Sequence, residues 1–174
     1  NELGVGPALR AATSALERLE VPHALVGGLA VSARAEVRFT RDVDLAVGVT
    51  DDAELERVVL ALRGEGFSVA ARVEQEAMGR MATVRLRSPQ GTLVDLLGAS
   101  SGIEAEVVAR STLEDVAGCP VRVAAAEELV ALKVVYGTAR RPQDRVDGVA
   151  LLADKRVDIP RIRDALHLIT ARGY

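Results

Sequence analysis

Apolar residues recur three and four apart at Leu9, Ala12, Leu16 and Leu19, the repeat of an amphipathic helix with one buried stripe. A short apolar run at 23–26 then meets the glycine pair Gly27-Gly28, the pattern of a buried strand ending in a sharp change of direction. Residues 29–35 predict a brief helix and 36–41 a polar loop. Polar and apolar positions alternate at the start of 42–47, the period of a second strand. Thr50 predicts an N-cap, with Asp51 and Asp52 in the first turn where a helix dipole favours acids. Leu55, Val58, Val59 and Leu62 supply that helix with its stripe, and Gly64 its stop.

A further strand is expected at 67–73, and clearer ones at 82–87 and 92–97. Between the last two, Ser88-Pro89-Gln90-Gly91 suits a type I turn, so they predict a hairpin in which Asp95 faces Val84. A helix over 103–108 and a short strand pair near 113–123 follow. The rest predicts helices over 126–136 and 143–152, and a last one opened by Pro160 in its first turn. Strands crowd the first part and helices the last. The expectation is an α+β fold, a mixed sheet over 1–124 followed by a helical portion over 125–174.

The chain of 174 residues, 49% of them hydrophobic, is long enough to bury a real core in one domain. A formal charge of −3 provides no global basic field for nucleic acid, and 2% aromatic residues are too few for a platform of stacked bases. The lone Cys119 rules out an internal disulfide and a cysteine-rich zinc site. His23 and His167 lack metal-ligand spacing. No apolar run approaches the roughly 20 residues of a membrane span, and no basic segment precedes an apolar one at the N-terminus, so a cytoplasmic location is expected. Nearly all positive charge is arginine; Lys133 and Lys155 are the two lysines.

The chemistry concentrates in Arg41-Asp42-Val43-Asp44-Leu45. On a strand, Asp42 and Asp44 aim both carboxylates to one face, while Val43, Leu45 and Val47 line the other. Like charges that close repel, and one tends to take up a proton unless a cation lies between them; Mg²⁺ suits carboxylate oxygen and commonly brings phosphate with it. Asp95 stands in Leu93-Val94-Asp95-Leu96-Leu97, apolar on both faces and so central, where an ionised carboxylate needs a partner. If its strand adjoins that of Asp42 and Asp44, three carboxylates could hold two Mg²⁺ ions about 3.5–4 Å apart, the arrangement of two-metal phosphoryl transfer. Gly27 and Gly28 would let backbone N–H groups approach phosphate at a helix start. Ser32 lies one turn on, and Arg38 and Arg41 flank the acids with forks suited to phosphate. Singly, each feature has a plain alternative: a tight turn, a solvated strand end, an acid paired with an arginine. Together, and in this order, they favour a site.

Gly27-Gly28-Leu29-Ala30-Val31 followed by Arg38-Phe39-Thr40-Arg41-Asp42-Val43-Asp44-Leu45 resembles the signature of the polymerase-β-type nucleotidyltransferase superfamily, and Asp95 matches its third acid. Glu128-Leu129-Val130-Ala131-Leu132-Lys133, with Arg140-Arg141-Pro142-Gln143-Asp144-Arg145-Val146-Asp147, is similar to the abortive-infection, toxin-like subgroup. The resemblance implies a nucleotidyltransferase-type mixed sheet packed by helices, with Lys133 contacting nucleotide phosphates and Asp144 in the nucleotide site, Asp147 one turn on.

The expected activity is Mg²⁺-dependent transfer of an NMP group from an NTP to an acceptor hydroxyl, releasing pyrophosphate. Asp42, Asp44 and Asp95 would act as catalytic and metal residues, with Gly27, Gly28, Ser32, Arg38, Arg41, Lys133 and Asp144 around the nucleotide. A tRNA end, a protein hydroxyl or a small molecule all fit as acceptor. The alternative is a non-catalytic nucleotide-binding or regulatory module, or an antitoxin-like interaction protein, with the same fold.

Overall fold

The N-terminal stripe becomes helix α1 (Glu2–Arg18), with Leu9, Ala12 and Leu16 fully buried and Leu19 packed just beyond its end. The computed structural model describes residues 2–35, 39–137 and 142–174. After α1 come β1 (His23–Val26), α2 (Gly27–Arg34), β2 (Val43–Val47), α3 (Asp52–Gly64), β3 (Ser68–Gln75) and, after a 3-10 turn at Glu76–Met78, β4 (Arg80–Arg87) and β5 (Leu93–Leu97). Then follow α4 (Glu104–Ala109), β6 (Thr112–Val116), β7 (Cys119–Val123), α5 (Ala126–Tyr136), α6 (Pro142–Leu152) and α7 (Ile159–Ala171). The α+β reading holds. One mixed sheet runs β3-β4-β5-β2-β1-β7-β6, with β2 parallel to β5, β1 parallel to β7, and the remaining neighbours antiparallel.

The centre of the sheet is β5-β2-β1, where Val43, Leu45, Val47, Val94 and Leu96 are wholly buried. Helices α1, α3 and α4 pack against the sheet, while α5 joins α2, α6 and α7 in a helical cluster. Glu128, wholly buried on α5, ties that cluster together: it accepts from Arg110 at 2.8 Å and from Arg161 of α7 at 3.0 and 2.7 Å.

Local chemistry departs from expectation at four places. The glycine pair does not precede its helix but forms the first turn of α2. The N-cap of α3 is Asp51, one residue later than expected: Asp51 accepts from the Glu54 amide, and the Glu54 carboxylate accepts from the amide and hydroxyl of Thr50, the residue before the cap. The left-handed residue that ends α3 is Gly66 (φ +92), not Gly64, with the Phe67 amide donating to Leu62 in a Schellman closure.

The fourth departure matters most. The β4–β5 loop is one residue longer than the simple turn: Gly91 N–H donates to Ser88, Gly91 adopts φ +90, and Ser88 pairs with Thr92. A type I turn followed by a left-handed residue is the three-residue hairpin loop. That extra residue moves the register by one, so Asp95 stands opposite Arg85, and Val84 opposite Leu96.

Candidate active site

Strand pairing assembles the acids. Asp44 of β2 and Asp95 of β5 are direct neighbours in parallel register, and Val26, the last residue of β1, pairs with Asp44 from the other side. Asp42 lies just before β2 begins, and its carboxylate and that of Asp44 face one cavity of about 670 Å³, as does Asp95. Gly27 and Gly28 of α2 and Leu129, Leu132 and Lys133 of α5, a helix in contact with α2, also line the cavity.

Gly27 is needed twice over. Its φ is +67, and a Cβ there would come within 2.6 Å of Asp44 Cγ and 2.9 Å of its Cβ, closer still to Oδ2. The Asp44 carboxyl therefore fills the space a side chain would take. The α2 start is open to an anion: its N-cap, Val26, brings no side-chain cap and no acid stands in the first turn.

Crowding shows in the electrostatics. Burial, then the charges of Asp95 and Asp42, push the Asp44 carboxyl up from 3.8 to about 7, against the opposing pull of Lys133 and Arg85. Asp95, 8% exposed, has a partner that the expected register had hidden. Arg85 donates Nε to Oδ1 at 2.8 Å and Nη2 to Oδ2 at 2.6 Å, a planar fork on both oxygens. Arg85 itself lines the cavity, together with Thr40, Thr83, Ser100 and Tyr136, none of which sequence reasoning singled out. The signal for Arg85 was its place on the strand before Asp95, and it was lost with the one-residue register error.

On the helical side, Lys133 Nζ donates to Asp144 Oδ1 at 2.7 Å and lies 3.1 Å from Asp147 Oδ2. Gln143 also donates to Asp147, at 2.9 Å. Both acids are buried, and Asp144 Oδ2 has no hydrogen-bond partner among the described residues. Lys133 and Asp144 both line the cavity. Not every expected residue gathers there. Ser32, on α2, is outside the cavity lining, and so is Arg41, an exposed residue whose guanidinium stacks 5.2 Å above the Phe39 ring. Arg38 lies outside the described residues.

The donor set is hard oxygen, crowded and partly buried, which suits a divalent cation such as Mg²⁺. Among the described residues, no three His, Cys, Asp or Glu side chains converge into a ready-made ion cage. Asp42 and Asp44 bring two carboxyl groups to the cavity with Asp44 crowded enough to be raised to about 7, whereas both oxygens of Asp95 already sit in the Arg85 fork.

The mixed sheet packed by helices is a fold shared with known nucleotidyltransferases. Residues 12–173 match the family described as nucleotidyl transferase AbiEii toxin, of type IV toxin–antitoxin systems, and the chain belongs to that family. Solved structures share the fold at low identity. The antibiotic-resistance factor ANT(2'')-Ia in complex with adenylyl-2''-tobramycin is 14% identical with a TM-score of 0.65, over 96% of this chain and 97% of that one. An antigenic nucleotidyltransferase-like protein from Paracoccidioides brasiliensis is 21% identical with a TM-score of 0.54, over 94% and 86%. The lincosamide antibiotic adenylyltransferase LnuA, lincomycin-bound, is 13% identical with a TM-score of 0.52, over 79% and 90%. No curated protein sequence matches the chain. Among the described residues no helix is long and apolar enough to cross a membrane.

Proposed function

We propose that this protein is a Mg²⁺-dependent nucleotidyltransferase that moves an NMP group from an NTP onto an acceptor hydroxyl and releases pyrophosphate. The observation that carries the reading is the register of Asp44 against Asp95, with Asp42 on the same cavity and Gly27 abutting the Asp44 carboxyl. Asp42 and Asp44 would hold the ions, and Asp95 would complete the set. Two Mg²⁺ ions, when bound, would neutralise the phosphate chain and acidify the attacking hydroxyl.

The protein's own groups position and neutralise. The uncapped N–H groups at the start of α2 would receive phosphate oxygens, with no Cβ at Gly28 to obstruct them, while the space beside Gly27 belongs to the Asp44 carboxyl. Lys133 turns from Asp144 and Asp147 towards the same phosphates. The acceptor oxygen attacks the α-phosphorus in line; a new O–P bond forms as the bond to the β-phosphate bridging oxygen breaks. Pyrophosphate carries away that electron pair, and the hydroxyl proton passes to Asp95. No covalent enzyme intermediate is needed, because positioning and charge stabilisation suffice for phosphoryl transfer.

The family suggests a toxin-like role, with a tRNA end or a protein hydroxyl as acceptor, while the antibiotic-bound neighbours suggest a small molecule. Incubating the protein with each α-labelled NTP, Mg²⁺ and a cell extract identifies both nucleotide and acceptor. Asp44→Asn should abolish the label with the fold intact. Thermal stabilisation by nucleotide without label in any product would instead support a non-catalytic nucleotide-binding module.

A further inference from the structure

Arg85 and Asp95 are paired by register on adjoining strands, yet the two partners differ in freedom. The Asp95 side chain is 11% exposed on a central strand; that of Arg85 is 41% exposed and reaches over the cavity. The carboxylate is held on a central strand, whereas the guanidinium stands at the end of a flexible, half-exposed stem. A divalent ion touching the same carboxylate would lie within a few ångströms of the guanidinium charge, so the two compete for Asp95. A phosphate offers the guanidinium an equally planar, two-pronged partner, and the cavity that Arg85 lines is the one proposed to take the triphosphate.

We propose that Arg85 is a displaceable counter-ion that withholds Asp95 until the phosphate chain of a nucleotide draws the guanidinium away. This rests on the nucleotidyltransferase reading and adds an order of events to it. Asp42 and Asp44 are available to a first ion from the outset. Asp95 becomes available only once the nucleotide is seated, so the full set of acids assembles around substrate and not before. Arg85 is thus a positioning residue that acts through Asp95.

The test is calorimetric titration of nucleotide-free protein with Mn²⁺, for the parent, Arg85→Gln, Asp95→Asn and the double variant. Arg85→Gln should bind Mn²⁺ at least about fivefold tighter than the parent, the lower end of typical coupling between sites. In the Asp95→Asn background the same substitution should change affinity less than about twofold, because the carboxylate for which ion and arginine compete is gone. Prior saturation with the α,β-methylene analogue of ATP should shrink the gap between parent and Arg85→Gln. If Arg85→Gln does not fold, Arg85→Lys, which keeps the charge and loses the fork, should still bind Mn²⁺ more tightly than the parent.

A purely structural ion pair predicts a lower melting temperature and no gain in Mn²⁺ affinity, and that result overturns the proposal. A gain that persists in the Asp95→Asn background overturns it too, since the arginine would then act by charge alone. Mn²⁺ binding by the parent with no effect of Arg85→Gln sinks this inference and leaves the nucleotidyltransferase reading standing. No Mn²⁺ binding by either protein removes the cation-dependent reading and this inference with it.

Discussion

The Asp44 carboxyl occupies the place where Gly27 would carry a side chain, so strand β2 and the first turn of α2 meet with nothing between them. Gly27→Ala therefore meets two penalties. The left-handed φ of +67 costs alanine about 1–2 kcal/mol, and the new methyl group must push Asp44 aside. Urea melts should show the first as a modest loss of stability. Transfer activity should fall far more, by about 100-fold, the typical consequence of a displacement near 1 Å in a reacting geometry.

Asp44 should make the ion-free protein less stable as pH rises. Its carboxyl is raised from 3.8 to about 7 in the folded state, so the folded chain holds a proton that the unfolded chain has already lost. The contribution is full below 3.8, declines as pH rises towards 7, and is absent above. Asp44→Asn removes the titrating group. Its melting temperature in a chelator should lack this fall and exceed the parent's above about pH 7, while label transfer is lost. A variant that melts lower than the parent at alkaline pH would contradict the crowding of acids around this site.

The same proton competes with any ion bound at Asp42 and Asp44. Apparent Mg²⁺ affinity should climb by up to about tenfold per pH unit below the Asp44 value and level off above it. Titration of the parent at several pH values between about 5.5 and 8.5 measures the slope. A flat profile would mean that Asp44 does not take part in holding the ion.

Lys133 is the sole cation bonded to Asp144 among the described residues, and it also lies within ion-pair distance of buried Asp147. Lys133→Met takes the ammonium away from buried Asp144 and should destabilise the fold by about 3–5 kcal/mol, the usual effect of breaking a buried pair. Adding Asp144→Asn to Lys133→Met should recover part of that loss in denaturant melts. Full stability of Lys133→Met would show that solvent reaches these acids.

Much of this site was visible in one dimension because its parts lie on short, strongly patterned segments. Asp42 and Asp44 sit two apart at the start of a strand whose other face is Val43, Leu45 and Val47, and Asp95 interrupts an apolar run. Helix α5 was recognisable over the span it occupies, since its apolar positions continue without a glycine or proline. The β4–β5 register was not visible, because Ser88-Pro89-Gln90-Gly91 fits both the simple turn and the longer loop. Nothing in the local sequence separates the two. The left-handed position at the end of α3 was misplaced for a similar reason: Gly64 and Gly66 both suit a helix stop, and hydrogen bonding selects the second.

By itself the chain determined which groups are candidates for chemistry: acids spaced to share a strand face, a glycine pair after a strand, and one lysine on an apolar helix. Backbone periodicity suffices for that, because side-chain direction follows from strand and helix geometry within a few residues. Only the tertiary structure decided the pairings between segments: Asp44 beside Asp95, Arg85 on Asp95, and Lys133 between Asp144 and Asp147. The first depends on strand order, the second on a hairpin register that one extra loop residue shifts, and the third on how α5 packs against α6; none of these is fixed by side-chain periodicity within a single segment.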